Sequence, residues 1–414
     1  MGYEFHISWR QLRAKSGEAF ISLISLMSAG GVTLGVTALI VVMAVMTGFE
    51  SDLKSRILAV SPHAWVLRHG GPMEEYEQLA GRLRDMEDVR AAAPFVHGQV
   101  MARSAASVSG VVLKGLDPDR VGRRSGFQYA RLVSEGSLEA LGAGEDPDNV
   151  PGIILGRELA KTLKVGAGDL LHLTSPESGG GGRGLASLPR MMRYRVLGIL
   201  ETGMYEYDNV LAWMHISEAR KLFGMGSAVT GVELALDDPL AAREAAREIS
   251  SRLGFPYWAR DWSRTNENLF AALKMQKTVI SIILSLIVLV AAFNIASTLV
   301  MSVIDRKKEI AILRAMGATR RGILRIFVYN GLLIGATGAF LGLALSGALC
   351  YLLSRYQFIQ LDPEIYPLAT MPVDMRVSDV LLVTGGALLV SFLATLYPAW
   401  RASRLDPVEI IRYG

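Results

Sequence analysis

Between Arg306 and Gly322 the chain reads RKKEIAILRAMGATRRG. Five of its six Arg or Lys residues fall in two clusters, Arg306–Lys308 and Arg320–Arg321, with Arg314 and Gly317 between them. The spacing of Ile310, Leu313 and Met316 predicts an amphipathic helix, with Glu309 and Arg314 on other faces. Gly317 supplies a stop, and Thr319 supplies a cap for a second helical start. On either side lie Thr278–Ile304 and Ile326–Ser354, with no Asp, Glu, Lys or Arg in either run. Ala19–Phe49 and Val380–Trp400 have the same character. Each run meets the length of about 20 residues needed to cross about 30 Å of hydrocarbon. The first run is too long for the apolar core of a signal peptide, and Met46-Thr47-Gly48 is a poor small-residue cleavage site, so it reads as an uncleaved span.

Basic residues in short flanks orient such spans. They gather before the first (Arg10, Arg13, Lys15), between the second and third (Arg306 to Arg325) and after the fourth (Arg401, Arg404, Arg412). The connection 355–379 holds only Arg355 and Arg376. The expected layout is therefore a cytoplasmic segment 1–18, span 19–49, an extracytoplasmic domain 50–277, span 278–304, a cytoplasmic elbow 305–325, span 326–354, an outer loop 355–379, span 380–400 and a cytoplasmic tail 401–414. The fold class is a membrane protein with four transmembrane α-helices and a large α+β extracytoplasmic domain between helices 1 and 2.

Composition agrees. The 414 residues are 51% hydrophobic yet 20% charged, with mean hydropathy +0.32. The net charge of +4 sits beside the apolar runs, which favours membrane topology over nucleic acid. One cysteine, Cys350, excludes an intrachain disulfide and any CxxC metal site. The six histidines form no HExxH, and GxSxG and GxxxxGK[ST] are absent. No catalytic or metal-ligating residues are expected, and no cofactor in this chain. Asn294 and Asn330 fall within spans and are expected to hydrogen-bond between helices. Gly31/Gly35, Gly331/Gly335 and Gly338/Gly342 have the spacing of close helix contacts, within the chain or with a partner subunit.

The inserted domain alternates short strands and helices, with two subdomains expected. Tyr76, Leu79, Leu83 and Met86 make one helical stripe, Ser217 is placed as an N-cap, and Gly224 and Gly254 as stops. A helix from near Asn266 is expected to continue unbroken through Phe270 and Met275 into the second span. Ser175–Pro189, SPESGGGGRGLASLP, is unusually long for a loop in a compact domain. It reads either as a hairpin tip or as a protruding finger bounded by Pro176 and Pro189.

A loop as short as 305–325 cannot fold alone. An ordered helix fused to two spans is what a membrane subunit needs if a cytoplasmic motor is to push on it. RKKEIAILRAMGATRRGIL resembles the coupling helix of MacB- and FtsX-type permeases, and the terminal TLYPAWRASRLDPVEIIRYG resembles the ending of that superfamily. GVTLGVTALIVVMAVMTGFE, DWSRTNENLFAALKMQK and MQKTVISIILSLIVLVAAFNIASTL are similar to the lipoprotein-releasing LolC/LolE family. The resemblance spans almost the whole chain.

It implies an ABC-transporter permease of the bacterial inner membrane, multi-pass, with both termini cytoplasmic and the large domain in the periplasm. The permease is expected to extract lipoproteins from the outer leaflet and hand them to a periplasmic carrier. A separate LolD-type ATPase, holding ATP and Mg, is expected to contact Arg306, Lys307, Glu309, Ile310, Leu313, Arg314, Met316, Gly317, Arg320 and Arg321. The other implied partners are a second LolC/LolE-type subunit or a second copy, a LolA-type carrier, lipidated proteins and membrane lipid, but no nucleic acid. The resemblance makes 175–189 a carrier-binding hook, with Pro176, Arg183, Leu185, Leu188, Pro189 and Arg190. Resemblance and position at span ends assign Met43, Met46, Phe49, Phe270, Leu273 and Met275 to a lipoprotein cavity. The competing expectations are a MacB/FtsX-like mechanotransmission permease for efflux or cell-wall hydrolase regulation, and a membrane-tethered enzyme.

Overall fold

The computed structural model describes residues 19–122, 126–142, 150–175, 190–356 and 372–405. The chain starts with α1 (Ala19–Val60), β1 (Ala64–Arg68), α2 (Tyr76–Arg84), β2 (Val89–Arg103) and β3 (Val108–Leu116). It continues with β4 (Val133–Glu135), β5 (Gly152–Gly156), α3 (Arg157–Leu163), β6 (Leu170–Ser175), β7 (Arg190–Leu200) and β8 (Leu211–His215). Then come α4 (Ile216–Phe223), β9 (Gly231–Leu236), α5 (Ala242–Leu253), β10 (Tyr257–Asp261), α6 (Glu267–Asp305), α7 (Lys307–Ala315), α8 (Arg320–Tyr356) and α9 (Val377–Ser403). The chain divides into two compact units, a helical one built on α1, α6, α7, α8 and α9, and an inserted α+β domain from Asp52 to Ala271.

Helices α1, α6, α8 and α9 are long and apolar enough to cross a membrane. Two of them outrun their apolar segments. Helix α1 continues past Phe49 to Val60, and α6 starts at Glu267 and runs unbroken through Phe270 and Met275. In hydrocarbon, helices gain little by hiding apolar surface from lipid, so association rests on close approach and hydrogen bonds. Both are present. A β-carbon on Gly335 would lie 2.7 Å from Ser391 on α9, and one on Gly338 or Gly342 would press on Val32 or Val36 of α1. The glycine pairs of α8 thus serve packing inside the chain. Ser28 and Thr298 share a hydrogen bond of 2.6 Å between α1 and α6, and Thr37 donates to the Gly342 carbonyl at 3.2 Å. Asn330 is buried, whereas the side chain of Asn294 is exposed and its backbone carbonyl accepts from Ser28.

In the inserted domain, β2 is long enough to serve two sheets. Its first half pairs with β9, which continues to β1 and β10; its second half pairs with β3 and β6. From β3 the pairing passes to β8, β5, β7 and β6, and so returns to β2, closing a six-stranded barrel. Alternation directs Val100, Val111, Leu113, Ala212, Leu171 and Tyr194 inward, where all are buried. Helix α2 buries Leu79 and Leu83 as its spacing predicts. Helix α4 stops at Gly224 (φ +68°), but its cap is His215, whose ring accepts the Ser217 N–H at 3.2 Å. The expectation that Ser217 is the cap is corrected: the helix begins at Ile216, directly after β8, so Ser217 already lies inside its first turn. Helix α5 stops at Gly254, and Asp238 caps the short turn ahead of it.

Candidate functional site

The elbow forms because each local signal agrees. Helix α7 ends at Ala315, Gly317 takes φ +99°, and its N–H and that of Ala318 return to the Arg314 and Leu313 carbonyls. Thr319 then caps α8, its hydroxyl accepting the Gly322 N–H at 3.1 Å. The inward face is Ile310, buried in the core shared by all four long helices, and buried Ala311, with Leu313 half-buried against that core. The Arg314 guanidinium donates to the Leu405 carbonyl, tying the elbow to the end of the fourth helix. Arg306 is buried, 3.7 Å from Glu309.

The exposed face therefore differs from the spacing-based stripe. Met316, grouped by periodicity with Ile310, is 72% exposed, and Ile312 is 53% exposed. They stand among Lys307, Lys308, Glu309, Arg320 and Arg321, all exposed. Ile312 and Met316 are thus two uncovered apolar side chains ringed by charge. Sequence reasoning missed Ile312. Its signal was its offset of four from Met316, with Lys308 four residues before it.

On the helical unit, Met43, Met46 and Phe49 are half-buried on α1, Leu273 is half-buried on α6, and Met275 is 67% exposed. Phe270 belongs to the inserted domain, edge-on to Trp262 at 5.4 Å. The Met43 sulfur lies 3.7 Å from the Ser281 hydroxyl. A groove of about 690 Å³ instead follows α6 along Lys274, Lys277, Thr278, Ser281 and Ser285, with Ile282, Leu286 and Leu289 beside them. None of the six expected residues lines it. The hydroxyls of Thr278, Ser281 and Ser285 donate to carbonyls one turn back, so they sit in an apolar helix without an unpaired proton. Their three- and four-residue spacing was visible in the sequence. At one end, Lys277 donates to Thr47, and Thr47 to Asp379, both at 3.4 Å, linking α6, α1 and α9.

In the inserted domain, β6 and β7 form a hairpin whose last pair is Ser175 with Arg190. The connecting segment, with Pro176, Arg183, Leu185, Leu188 and Pro189, lies outside the described residues. Arg190 lies at the hairpin base and donates to the Lys221 carbonyl at 2.8 Å. Register aligns Met101 with Thr174 and Met191, and Arg103 with His172 and Arg193, across three strands. Apart from half-buried Thr174 these are exposed, giving an outer barrel face of two methionines and three basic or imidazole groups beside the loop.

Residues 25–252 match the MacB-like periplasmic core domain and residues 281–407 the FtsX-like permease C-terminal family. Lipoprotein-releasing system transmembrane protein LolC of Xylella fastidiosa (strain 9a5c) is 37% identical over 419 residues, 98% of each chain. The LolC protein of Neisseria meningitidis serogroup B is 35% identical over 419 residues, 99% of each chain. The LolE protein of Haemophilus influenzae is 31% identical over 430 residues, again 99% of each.

Proposed function

The chain belongs to the LolC/LolE family of FtsX-like permeases with a MacB-like periplasmic core domain, and we propose how its parts divide the work. It is a membrane protein, a transmembrane permease subunit of a Lol-type ABC transporter acting in lipoprotein release. The MacB/FtsX-type alternative of efflux or hydrolase regulation is not favoured, because the full-length relatives are lipoprotein-releasing proteins.

A separate LolD-type ATPase binds ATP and Mg and docks on the elbow. Ile312 and Met316 enter its surface, while Lys307, Glu309, Arg320 and Arg321 set the register. The buried side, Ile310, Leu313 and the Arg314–Leu405 bond, carries the push into the helices. The single observation behind this reading is an ordered helix between two membrane-length helices, its inner face buried at Ile310 and Ala311 and Ile312 exposed among charges on its outer face. The elbow and both termini are cytoplasmic and the inserted domain periplasmic, supported by the three basic flanks.

The exposed apolar face of α6 meets lipid, acyl chains and a second permease subunit. Three acyl chains of roughly 15 methylenes, at about 0.8 kcal/mol each, cost on the order of 35 kcal/mol to place in water. Release therefore needs an apolar receiver close by. The β6–β7 loop and the outer barrel face with Met101, Met191, Arg103 and Arg193 suit a carrier with an acidic, partly apolar surface. Co-purification of the full chain from membranes, with identification of bound chains and lipidated peptides, tests the assignment. Recovery of an ATPase and lipidated peptides supports it; an ATPase with no lipidated peptide in any preparation contradicts the cargo.

A further inference from the structure

The groove along α6 is polar at one end and apolar at the other. Lys274, Lys277, Thr278, Ser281 and Ser285 line it at helical spacing, with Ile282, Leu286 and Leu289 beside them and Val390 of α9 as the remaining wall. Lys274 is exposed and Lys277 half-buried, while Ile282, Leu286 and Leu289 are exposed. No acidic side chain among the described residues lines the groove. Its length fits one leaflet. Lys277 is the last charged residue before the apolar run 278–304, and Lys274 stands about one turn further out, toward the inserted domain in the chain. Thr278 to Leu289 covers about 16 Å of helix at about 1.5 Å per residue. One leaflet of a 30 Å hydrocarbon core is about 15 Å deep. The two lysines therefore stand at headgroup level, and Leu289 near the bilayer midplane.

The polar groups of the groove differ in what they still offer. The hydroxyls of Thr278, Ser281 and Ser285 spend their protons on carbonyls one turn back, so they ask nothing of an aliphatic neighbour. Lys277 directs one proton to Thr47, which donates in turn to Asp379, and an ammonium has two more. No ion pair or hydrogen bond joins Lys274 to another described residue. The groove thus presents two ammonium groups above an aliphatic channel one leaflet deep.

A ligand that complements both ends carries an anion at headgroup level and an acyl chain beneath it. A second copy of this chain is a poorer match. Two subunits related by an axis along the membrane normal hold the same residues at the same depth, so its Lys274 and Lys277 would bring like charge to like charge. Ile283, Ile287 and Val290, exposed on the adjoining face of α6, remain for such a subunit. An acyl chain without an anion fills only the lower part of the groove, and a zwitterionic phospholipid adds an ammonium beside the lysines. We propose that this groove holds an anionic phospholipid, its phosphate between Lys274 and Lys277 and one acyl chain along Ile282, Leu286 and Leu289. The proposal rests on the reading that this face of α6 meets lipid, and names which lipid.

The test uses the full chain in nanodiscs with two probes carrying the same diazirine-bearing acyl chain, a phosphatidylglycerol and a phosphatidylethanolamine. Crosslinked peptides are mapped by mass spectrometry. Phe340 and Leu341, exposed on α8, give the reference ratio of the two probes for a helix surface that simply faces lipid. At the peptide bearing Ile282 to Leu289, the phosphatidylglycerol ratio should exceed that reference by at least about fivefold, the factor for one lysine at an anionic surface. The excess should shrink as salt is raised. Lys274→Gln should lower it, and Lys274→Gln with Lys277→Gln should bring it to the reference. Lys274→Arg should keep it, as should Thr47→Val, which removes the hydrogen bond from Lys277 and leaves its charge. Thermal unfolding is read in parallel to establish that each variant is folded. Equal ratios at α6 and α8 in the wild type, or an excess that survives in the folded double variant, overturns the proposal and leaves α6 facing lipid. Labelling of α8 but not of α6 by either probe overturns both, and identifies the groove as covered by protein.

Discussion

A β-carbon built on Gly331 would stand 1.8 Å from Cγ2 of Thr395. The contact between α8 and α9 therefore closes only over a hydrogen atom. Gly331→Val should separate the two helices at a cost of about 1–3 kcal/mol, the usual price of overpacking. Gly347→Ala and Gly385→Ala, whose added carbons meet nothing within 4 Å, should be neutral. Thermal unfolding of the chain in nanodiscs distinguishes them; equal melting of all three variants would show that the contact does not matter.

The elbow makes a two-sided prediction. Ile312→Asp and Met316→Asp alter exposed positions, so the chain should insert and fold normally but lose ATPase association by at least about tenfold, as for a central interface residue. Leu313→Asp and Glu309→Lys should also leave insertion intact; Leu313→Asp, facing the helical core, should uncouple ATP hydrolysis from transport even where the ATPase still binds. Pull-down and ATPase rate with and without cargo check this. Normal binding and transport in all four variants would sink the coupling assignment.

At the β6–β7 loop, replacing Ser178–Ser187 by a short turn should leave the barrel folded and abolish carrier binding. Fixing each backbone residue of a glycine-rich loop costs about 1–2 kcal/mol, so its wild-type affinity should be modest and should depend on Met101, Met191, Arg103 and Arg193. Full-strength binding by the shortened chain would identify the loop as a simple hairpin tip.

Two histidines give the inserted domain a pH dependence. His63 is held below its ordinary value by burial, with the Leu236 backbone and Asp238 opposing, and its Nδ1 lies 2.8 Å from the Leu236 nitrogen and 3.1 Å from the Leu236 carbonyl oxygen. His97, whose side chain is exposed at the sheet surface, is lowered by partial desolvation and by the charge of Lys114. For both, the folded value lies below the unfolded one, about 6.5. Their stabilisation is thus complete above that pH and is lost as pH falls through the folded values. Amide protection in β1, β2 and β9 should fall between pH 7 and pH 5, and His97→Gln should flatten the change. Protection that is flat with pH in the wild-type chain would contradict this.

Most of the architecture was legible because the strongest signals are local. Charge-free runs of membrane length, Gly317, Thr319 and the unbroken start of α6 each act within a few residues. What escaped depends on partners distant in sequence. Periodicity groups Met316 with Ile310, but the helix turns at Gly317 and leaves Met316 in solvent, while Ile312 faces the same way. Nothing near Arg314 announces the Leu405 carbonyl, 91 residues on. Lys114 and Glu233 look like solvated charges until the register of β2, β3 and β9 brings them together. Likewise nothing around Thr278, Ser281 and Ser285 in their apolar run marks them as the lining of one groove.

The most direct measurement is ATP-dependent transfer of palmitate-labelled lipoprotein from proteoliposomes to soluble carrier. The proteoliposomes hold this chain, its ATPase and, where required, a second permease subunit. The account predicts transfer that needs ATP, stops without the carrier and is lost with Leu313→Asp. ATP hydrolysis that responds normally to this chain while labelled lipoprotein stays in the membrane, with carrier present, would contradict it.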